Sequence, residues 1–279
     1  VVCMPRFDLE QFLELMQEYE VTRAHLVPPI VLALAKHPLV DQYCFPKLKT
    51  IMSGAAPLGP ELAEACAKRL GCTVKQGYGL TETSPVTHMN PDPPSRVVAG
   101  SIGICIPNTE CMIINLETHQ PVLTGQRGEL LIRGPQVMKG YLNNPEATAQ
   151  TIDEECWLHT GDIAEVDEDG YYRIVDRVKE LIKYKGFQVA PAELEALLLN
   201  HPVISDCAVV PAEDEEAGEI PVGFVVFKPE TTSSPEDILE YVAKNVAPHK
   251  KIRRLKVVDE IPKSPSGKIL RRLLKVQAS

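Results

Sequence analysis

The pattern of apolar residues changes near residue 171, and this change is the feature that most limits which folds the chain can adopt. Beyond it, short segments rich in Val and Phe favour strands, and apolar residues at helical spacing favour helices. The predicted strands are 171–176, 204–210, 222–227 and 256–258, and the predicted helices are 191–200 and a segment opened by Ser234 and Pro235. This stretch of about a hundred residues has an apolar set of its own, which predicts a small α+β domain.

The preceding residues predict a larger body of mixed helix and sheet. A helix over 8–20 is indicated by Asp8 as its cap and by apolar residues on one face, and a helix over 60–70 lies between Pro60 and Gly71. Strands are predicted at 73–76 and 129–133, with sheet and loop between them. At 279 residues, the chain can hold one large domain or two smaller ones.

Composition excludes several classes of protein. The formal net charge of -9 argues against broad nucleic-acid binding, although local basic sites for phosphates remain compatible with it. The eight cysteines form no C-x-x-C pair and have no histidine cluster at zinc spacing, which is typical of thiols in a reducing compartment. The longest apolar run, 26–35, is interrupted by Pro28 and Pro29 and is too short to span a bilayer.

No targeting signal is recognisable at either end of the sequence. The chain begins with Val, no signal peptide is visible, and the last residues, QAS, are not a peroxisomal signal. We therefore expect a fragment of a longer protein, located in the cytoplasm. Peroxisomal location is possible for similar proteins that end in SKL.

Two segments place polar or flexible residues where a core would not need them. In QGYGLTET, 76–83, glycines allow close approach of a ligand, Thr81 can donate to a phosphate oxygen, and Glu82 offers hard oxygens suited to Mg²⁺. In WLHTGD, 157–162, a carboxylate after a glycine turn can accept hydrogen bonds from a ribose diol. Taken alone, each segment also fits an ordinary turn.

Two further segments concentrate cations near the end of the chain. DRVKELIKYKGFQVAP, 176–191, contains four basic residues within nine positions and lies at the predicted domain boundary, where a cleft can hold phosphates. PKSPSGKILRR, 262–272, can carry the ammonium of Lys268 into a site on a loop that contains glycine. A solvated basic face and a disordered tail are the alternative explanations.

Together, the order and spacing of these segments resemble the adenylate-forming enzymes: acyl-CoA synthetases, beetle luciferases and the adenylation domains of peptide synthetases. The resemblance is greatest to the 4-coumarate–CoA ligase branch. It covers essentially the whole chain and includes SGAAPLG at 53–59 and GELLIRGPQVMKGYLNNPEAT at 128–148. It implies the latter part of a large α/β AMP-binding domain, 1–176, and a C-terminal lid, 177–279, with a hinge near Lys179.

The resemblance also implies a reaction and its participants. A carboxylic acid attacks the α-phosphorus of ATP to form an acyl-adenylate, and CoA then displaces AMP, with Mg²⁺ as cofactor. The implied catalytic residues are Lys268, Thr81, Glu82, Lys183 and Gln188, with Glu82 on the metal. The implied nucleotide- and CoA-binding residues are Gln76, Gly77 and Tyr78 near adenine, Asp162 and Arg177 on ribose, Lys179 at the hinge, and Lys185 and Gly186 near CoA. Rotation of the lid would exchange Lys268 for Lys183, Gln188 and Lys185.

The acid is less sharply indicated than the reaction. Ala55 and Ala56 are small and Met89 could close the pocket, which suits a hydroxycinnamate-like acid, but a fatty acid would also fit. A medium- or long-chain fatty acyl-CoA ligase or a luciferase-like relative is therefore an alternative. The family's Ser/Thr/Gly-rich phosphate loop is absent from these residues, so we expect the chain alone to be inactive. A non-catalytic nucleotide- or CoA-binding module remains the alternative of another class.

Overall fold

A computed structural model describes residues 1–231, 233–265 and 267–278. The chain divides into two compact units. The first comprises Val1–Glu110, Gly134–Gly140 and Glu168–Arg173. The second comprises Cys111–Arg133, Tyr141–Asp167 and the chain from Ile174 onward. No helix among the described residues is both long and apolar enough to cross a membrane.

The first unit packs helices against a five-stranded sheet. Its helices are α1 (Leu9–Glu18), α2 (Pro28–Lys36) and α3 (Pro60–Leu70). Its strands are β1 (Arg23–Leu26), β2 (Thr50–Ser53), β3 (Thr73–Gly79), β4 (Val86–Met89) and β5 (Ile104–Cys105), adjacent in that order. The first three strands are parallel, and β4 and β5 continue the sheet antiparallel.

Local signals explain why these helices begin where they do. The Asp8 carboxylate accepts a hydrogen bond from the Gln11 N–H at 2.9 Å, as expected for a cap. The prolines that interrupt the apolar run at 26–35 begin α2 rather than break it, because the first helical turn needs no N–H donor there. Leu13, Val31 and Ile51 are fully buried in the shared core.

A four-stranded sheet follows in the order β6-β7-β8-β9. Its strands are β6 (Glu110–Ile114), β7 (Gly128–Arg133), β8 (Leu158–Val166) and β9 (Tyr172–Arg177), and the helix α4 (Pro145–Thr151) precedes β8. The predicted strands at 129–133 and 171–176 correspond to β7 and β9, but the second of them belongs to this sheet and not to the sheet of the small α+β domain in which its sequence placed it. Trp157 is buried against Ile114 and Leu131, and the Arg133 guanidinium lies 4.3 Å from its ring centroid.

The end of the chain forms the predicted α+β arrangement. Its strands are β10 (Ile182–Tyr184), β11 (Phe187–Val189), β12 (Ile204–Asp214), β13 (Gly218–Phe227) and β14 (Arg254–Val257). Its helices are α5 (Pro191–Leu199), α6 (Pro235–Asn245) and α7 (Arg271–Ala278). The strands are ordered β11-β10-β13-β12, and β14 pairs with β13 in parallel.

The central hairpin of this sheet, β12–β13, is covered on both faces. Val209 and Val225 pack with α5 and α6, whereas Val210 and Phe224 pack with α7. Burial on both faces explains why the two strands read as nearly continuous apolar runs, without the alternation typical of a half-exposed sheet. The mixed α/β fold class is confirmed.

Candidate functional site

The first unit presents the QGYG segment at the end of β3. The Gln76 side-chain oxygen accepts a hydrogen bond from the Leu58 N–H at 3.1 Å, which ties β3 to the SGAAPLG segment. A Cβ on Gly79 would lie 1.7 Å from the Pro85 carbonyl oxygen, so this glycine is required by the neighbouring chain rather than by a ligand. At Gly77 the nearest atom to such a Cβ would be the His88 carbonyl oxygen, at 3.2 Å.

Tyr78 packs edge-on against a neutral histidine, which in turn packs at an angle against a second tyrosine. Its ring lies 5.9 Å from the His88 ring, and His88 lies 4.6 Å from the ring of Tyr172. Burial lowers the pKa of His88 to about 3, because the charged imidazolium would lose its hydration. The His88 ring is therefore uncharged at neutral pH.

Thr81 and Glu82 begin a 3₁₀ turn, Thr81–Thr83, directly after β3. The buried Thr83 hydroxyl fixes this turn, since it accepts from the Leu80 N–H at 2.9 Å and donates to the Pro85 carbonyl at 2.6 Å. Thr81 is exposed and Glu82 is half-buried. The Glu82 carbonyl accepts from the Met138 N–H at 2.8 Å, which holds the backbone under its carboxylate.

The three residues predicted to line an acyl pocket lie at the ends of two strands. Ala55 follows β2 with φ +70° and is exposed, and Ala56 is half-buried. Met89 pairs with Gly77 across β3 and β4, and its Cγ would lie 4.0 Å from a Cβ on Gly77. Met89 thus lies beside the segment predicted to bind adenine.

In the second unit, Asp162 and Arg177 form an ion pair. The Asp162 carboxylate is almost fully buried and accepts from Arg177 Nε at 3.1 Å, while about half of the Arg177 side chain is exposed. Gly161 adopts φ +69°, and its N–H donates to Glu129 Oε1 at 3.0 Å. Glu129 on β7 therefore fixes the turn that carries Asp162.

The predicted hinge residue Lys179 is exposed in the centre of a 3₁₀ turn, Val178–Glu180. Just before this turn, the buried Asp176 carboxylate accepts from the N–H of Ala192 at 2.9 Å, at the start of α5. Burial raises the pKa of Asp176, because the ionised form is desolvated.

Lys183 and Gln188 face each other across the β10–β11 hairpin, and Lys185 and Gly186 form its turn. All four are exposed. The Lys185 ammonium donates to the Glu216 carboxylate, and this hydrogen bond raises the pKa of Lys185. An open cavity of 520 Å³ is lined by Lys183, Gly218 and four acidic residues: Glu213, Asp214, Glu215 and Glu219.

Lys268 lies in a hydrogen-bonded loop rather than in a disordered tail. Its carbonyl accepts from the Ser264 N–H at 2.8 Å, and its own N–H donates to the Ser264 hydroxyl at 3.1 Å. The neighbouring Gly267 adopts φ +87°. The Lys268 side chain is exposed, so its ammonium extends into solvent from a backbone that is held by hydrogen bonds. Ser266, part of the predicted motif, lies outside the described residues.

Sequence reasoning missed the residues that hold these segments in place. Thr83, Glu129 and Asp176 each fix a turn through a hydrogen bond to a backbone group. Glu129 is the second residue of the largely apolar strand β7. A carboxylate at such a position is a signal in the sequence that could have indicated a structural or functional role. The motifs themselves were found because they combine glycine with charge over a few positions.

Comparisons with known proteins address the family directly. The family model described as AMP-binding enzyme matches residues 1–142, and that for its C-terminal domain matches residues 193–268. The chain is 54% identical over 281 residues to 4-coumarate–CoA ligase 1 of Petroselinum crispum, covering 99% of the chain and 52% of the relative. It is 55% identical over 278 residues to 4-coumarate–CoA ligase of Pinus taeda, covering 98% and 51% respectively.

Solved structures give the same result. ATP-bound MatB from Rhodopseudomonas palustris has a TM-score of 0.91 at 27% identity, covering 99% of this chain and 54% of that one. The anthranilate CoA ligase AuaEII in complex with anthranoyl-AMP has a TM-score of 0.86 at 28% identity, covering 100% and 54%. The chain spans about half the length of the curated relatives it matches. As the motifs predicted, the chain belongs to the AMP-binding enzyme family.

Proposed function

We propose that the complete protein is an AMP-forming acid–CoA ligase. The family membership supports this reaction class, and the relatives described above are 4-coumarate–CoA ligases by name. The observation that carries the proposal is the Asp162–Arg177 pair. Arg177 holds a buried carboxylate in one orientation, which suits a group that accepts hydrogen bonds from a ribose diol. Gln76, Gly77 and Tyr78 would lie on the adenine side of the nucleotide.

The first half-reaction must bring two anions together. A carboxylate oxygen of the acid bonds to the α-phosphorus of ATP, and the bond from that phosphorus to the pyrophosphate oxygen breaks. Charge builds up on the α-phosphate oxygens in the transition state, and a cation placed there lowers the barrier. Lys268 would supply this cation, because its backbone is fixed while its ammonium is exposed.

A divalent cation suits the donor set of the first unit. Glu82 offers hard carboxylate oxygens, which Mg²⁺ prefers, and Thr81 beside it is exposed and could donate to a phosphate oxygen. When bound, Mg²⁺ would neutralise phosphate charge. We assign Glu82 to the metal and Thr81 to the adenylate.

In the second half-reaction, the CoA sulfur bonds to the acyl carbon and AMP leaves. We propose that residues 177–279 act as a lid that turns about Lys179 between the two steps, with Lys183 and Gln188 serving the adenylate and Lys185 with Gly186 serving CoA. Lys185 is paired with Glu216 in this structure. A CoA phosphate would have to displace that carboxylate in order to bind Lys185.

For the acid, we propose a hydroxycinnamate-like substrate, with Ala55, Ala56 and Met89 lining its pocket. The names of the relatives and the small alanine side chains support this choice. Comparing kcat/KM for hydroxycinnamates and for medium- and long-chain fatty acids tests it. A preference for fatty acids of tenfold or more would replace the aromatic acid with the alternative.

Two lysine variants of the complete protein test whether Lys268 serves adenylation and Lys185 serves thioester formation. Lys268→Ala should slow acid-dependent pyrophosphate release by about 10²–10³-fold and leave thioester formation from supplied acyl-AMP nearly unchanged. Lys185→Glu should slow the thioester step instead. Arg272→Ala removes a nearby exposed cation and should change neither. If both lysine variants slowed both steps equally, the exchange of lysines would be wrong.

We further expect the 279 residues alone to release no acid-dependent pyrophosphate, because the family's phosphate loop is absent from them. Turnover above that of a mock preparation would contradict this expectation. Specific binding of nucleotide or CoA without turnover by the complete protein would instead favour the non-catalytic module.

A further inference from the structure

A cluster of buried charges lies between the loop that carries Lys268 and the predicted hinge. It consists of Glu180, Glu195 and Arg271. Only 11% of the Arg271 side chain and 11% of the Glu195 side chain are exposed, against 30% for Glu180. None of the three carries a role in the function proposed above, although buried charges are costly and are rarely present without a purpose.

One guanidinium joins three elements of the second unit. Arg271 is the first residue of α7, and its Nε lies 2.9 Å from Oε2 of Glu180, in the 3₁₀ turn of the predicted hinge, as an ion pair in which the N–H is not directed at that oxygen. Its Nη2 lies 2.9 Å from Oε2 of Glu195 on α5. The other oxygen of Glu195 accepts from the Val209 N–H on β12 at 2.8 Å. The three elements are thus fastened through a single side chain.

The position of this cluster along the chain relates it to Lys268. Arg271 follows Lys268 by three residues, and Glu180 follows Lys179 directly. The other end of the Lys268 loop is held separately, since the Lys263 ammonium pairs with Asp206 on β12 at 2.7 Å. Arg271 therefore fixes the end of the loop that is nearer to Lys268, and it fixes that end to the turn of the hinge.

The chemistry of arginine explains why this residue type stands there. Its planar guanidinium donates a directed hydrogen bond to Glu195 while its delocalised charge also attracts Glu180, whereas a lysine ammonium is a point charge on a flexible stem. An apolar side chain could fill the same space without the cost of burying charge, but it would not set a direction between two elements.

We propose that Arg271 is a positioning residue for adenylation, which holds the Lys268 loop at a fixed place relative to the hinge turn through Glu180 and Glu195. This inference rests on the proposed function. Because Lys268 would act only in the first half-reaction, loss of Arg271 should misplace its ammonium during adenylation and leave the thioester step largely intact. Misplacement by about 1 Å costs up to roughly 10²-fold in rate.

The test uses single-turnover rates of both half-reactions in the complete protein. Arg271→Met removes both charge and direction and should slow adenylation by about 10–100-fold, with the thioester rate from supplied acyl-AMP changed by less than about threefold. Arg271→Lys keeps the charge but not the directed hydrogen bond to Glu195 and should give an intermediate loss. The KM values for ATP and acid should stay within about twofold, since no substrate contact is removed.

A matched control separates positioning from general support of the fold. Lys250 pairs with Glu193 on the same helix, α5, at 2.7 Å. Lys250→Met breaks that pair and should change each half-reaction by less than about twofold. Where Arg271→Met fails to fold, Glu180→Gln decides, because it removes only one charge at the hinge and keeps the shape of the side chain. It should also slow adenylation selectively.

The outcomes distinguish this inference from the function on which it rests. Equal slowing of both half-reactions by the Arg271 variants, or by Glu180→Gln, overturns the positioning role. Unchanged adenylation in all of them does the same. Unchanged adenylation in Lys268→Ala instead overturns the role of Lys268 on which the inference rests, and the absence of acid-dependent pyrophosphate release by the unchanged complete protein overturns the proposed function itself.

Discussion

The two units each contain a charge network with at least one buried member, and the two networks are opposite in composition. In the first unit, Asp92 lies between two cations. The ammonium of Lys75, with 3% of its side chain exposed, lies 2.6 Å from Asp92 and donates to the Asn90 carbonyl at 2.8 Å. Arg23 pairs with the same carboxylate at 2.8 Å from the surface side. Hydrogen bonds from Arg23 and Lys75 hold the pKa of Asp92 well below its ordinary value.

In the second unit, three carboxylates share one guanidinium. Glu180 and Glu195 pair with Arg271, and Asp176 lies close enough to interact electrostatically with the same group. Burial raises the pKa of Glu195 to about 7, and burial is also the main cause that raises the pKa of Asp176. Here one cation cannot offset the desolvation of the acids.

The difference shows that burial and the number of cations together decide how a network responds to pH, because Asp92 is half-exposed between two cations whereas Glu195 is buried and shares one. The Asp92 network keeps its charges from mildly acidic to neutral pH and joins β1 and β3 to the chain beyond β4. The Arg271 network contains an acid that titrates near neutrality, and it lies beside the predicted hinge. The first network is therefore insensitive to pH near neutrality, whereas the second is sensitive to it.

The largest expected effect comes from removing the buried cation of the first network. Lys75→Met leaves the Asn90 carbonyl without its donor and Asp92 without its closest partner. We expect the β3 amides to lose about 2–4 kcal/mol of protection free energy, measured by hydrogen exchange of the complete protein.

Arg23→Met is the matched control, because it removes the other cation, whose side chain is 53% exposed. Exposed pairs contribute little, so the loss of protection should be clearly smaller than for Lys75→Met. Equal costs for the two variants would show that burial does not separate the two cations.

The next effect is a change in the pH dependence of the second unit. The ordinary pKa of Glu195 is 4.5, and its folded value is about 7, so the folded state binds the proton more tightly. Its contribution to stability is therefore complete below about pH 4.5 and is lost as pH rises to about 7. Glu195→Gln lacks this loss. Its stability relative to the unchanged protein should rise by roughly 1–3 kcal/mol between pH 4.5 and pH 8.

Hydrogen exchange of peptides from α5 and β12, compared between variant and unchanged protein at each pH, measures this difference and cancels the intrinsic exchange rates. Gln can still accept from the Val209 N–H, so the fold is expected to survive. Parallel stability curves for the two proteins would mean that folding does not raise the pKa of Glu195.

Much of the fold was predictable because its signals are local. Asp8 and Ser234 each accept a hydrogen bond from a backbone N–H three residues on, as caps do, and Gly71 ends α3 in the left-handed conformation. The strands of β12 and β13 were recognised from their Val and Phe content, although both extend further than predicted. Such features depend on a few neighbouring residues, so one sequence is enough to find them.

Both charge networks were out of reach of sequence reasoning, for a physical reason. The Arg23–Asp92 pair spans 69 positions and the Glu195–Arg271 pair spans 76. Nothing near Lys75 distinguishes a buried lysine from an exposed one. For the candidate site, motifs and resemblance provided Asp162 and Arg177, which the structure brings together. The residues that hold the motifs, such as Glu129 and Arg271, are defined only by tertiary packing.

The smallest expected effect tests whether the two networks respond to pH in opposite directions. The pKa of Asp92 lies below its ordinary value of 3.8, so its stabilising contribution is complete above about pH 4 and is lost as pH falls toward the folded pKa. Asp92→Asn should therefore be less stable than the unchanged protein at pH 6, and this gap should narrow at pH 2.5.

The effect should be small and should weaken in 1 M salt, because 56% of the Asp92 side chain is exposed and water and ions screen its charge. Hydrogen exchange of the β3 peptides at both pH values, with and without salt, measures the gap. The Asp92 gap should shrink as pH falls, whereas the advantage of Glu195→Gln should grow as pH rises above 4.5. A gap for Asp92→Asn that widened on acidification would mean that its two cations do not dominate its titration, and burial together with the number of cations would then not explain the contrast.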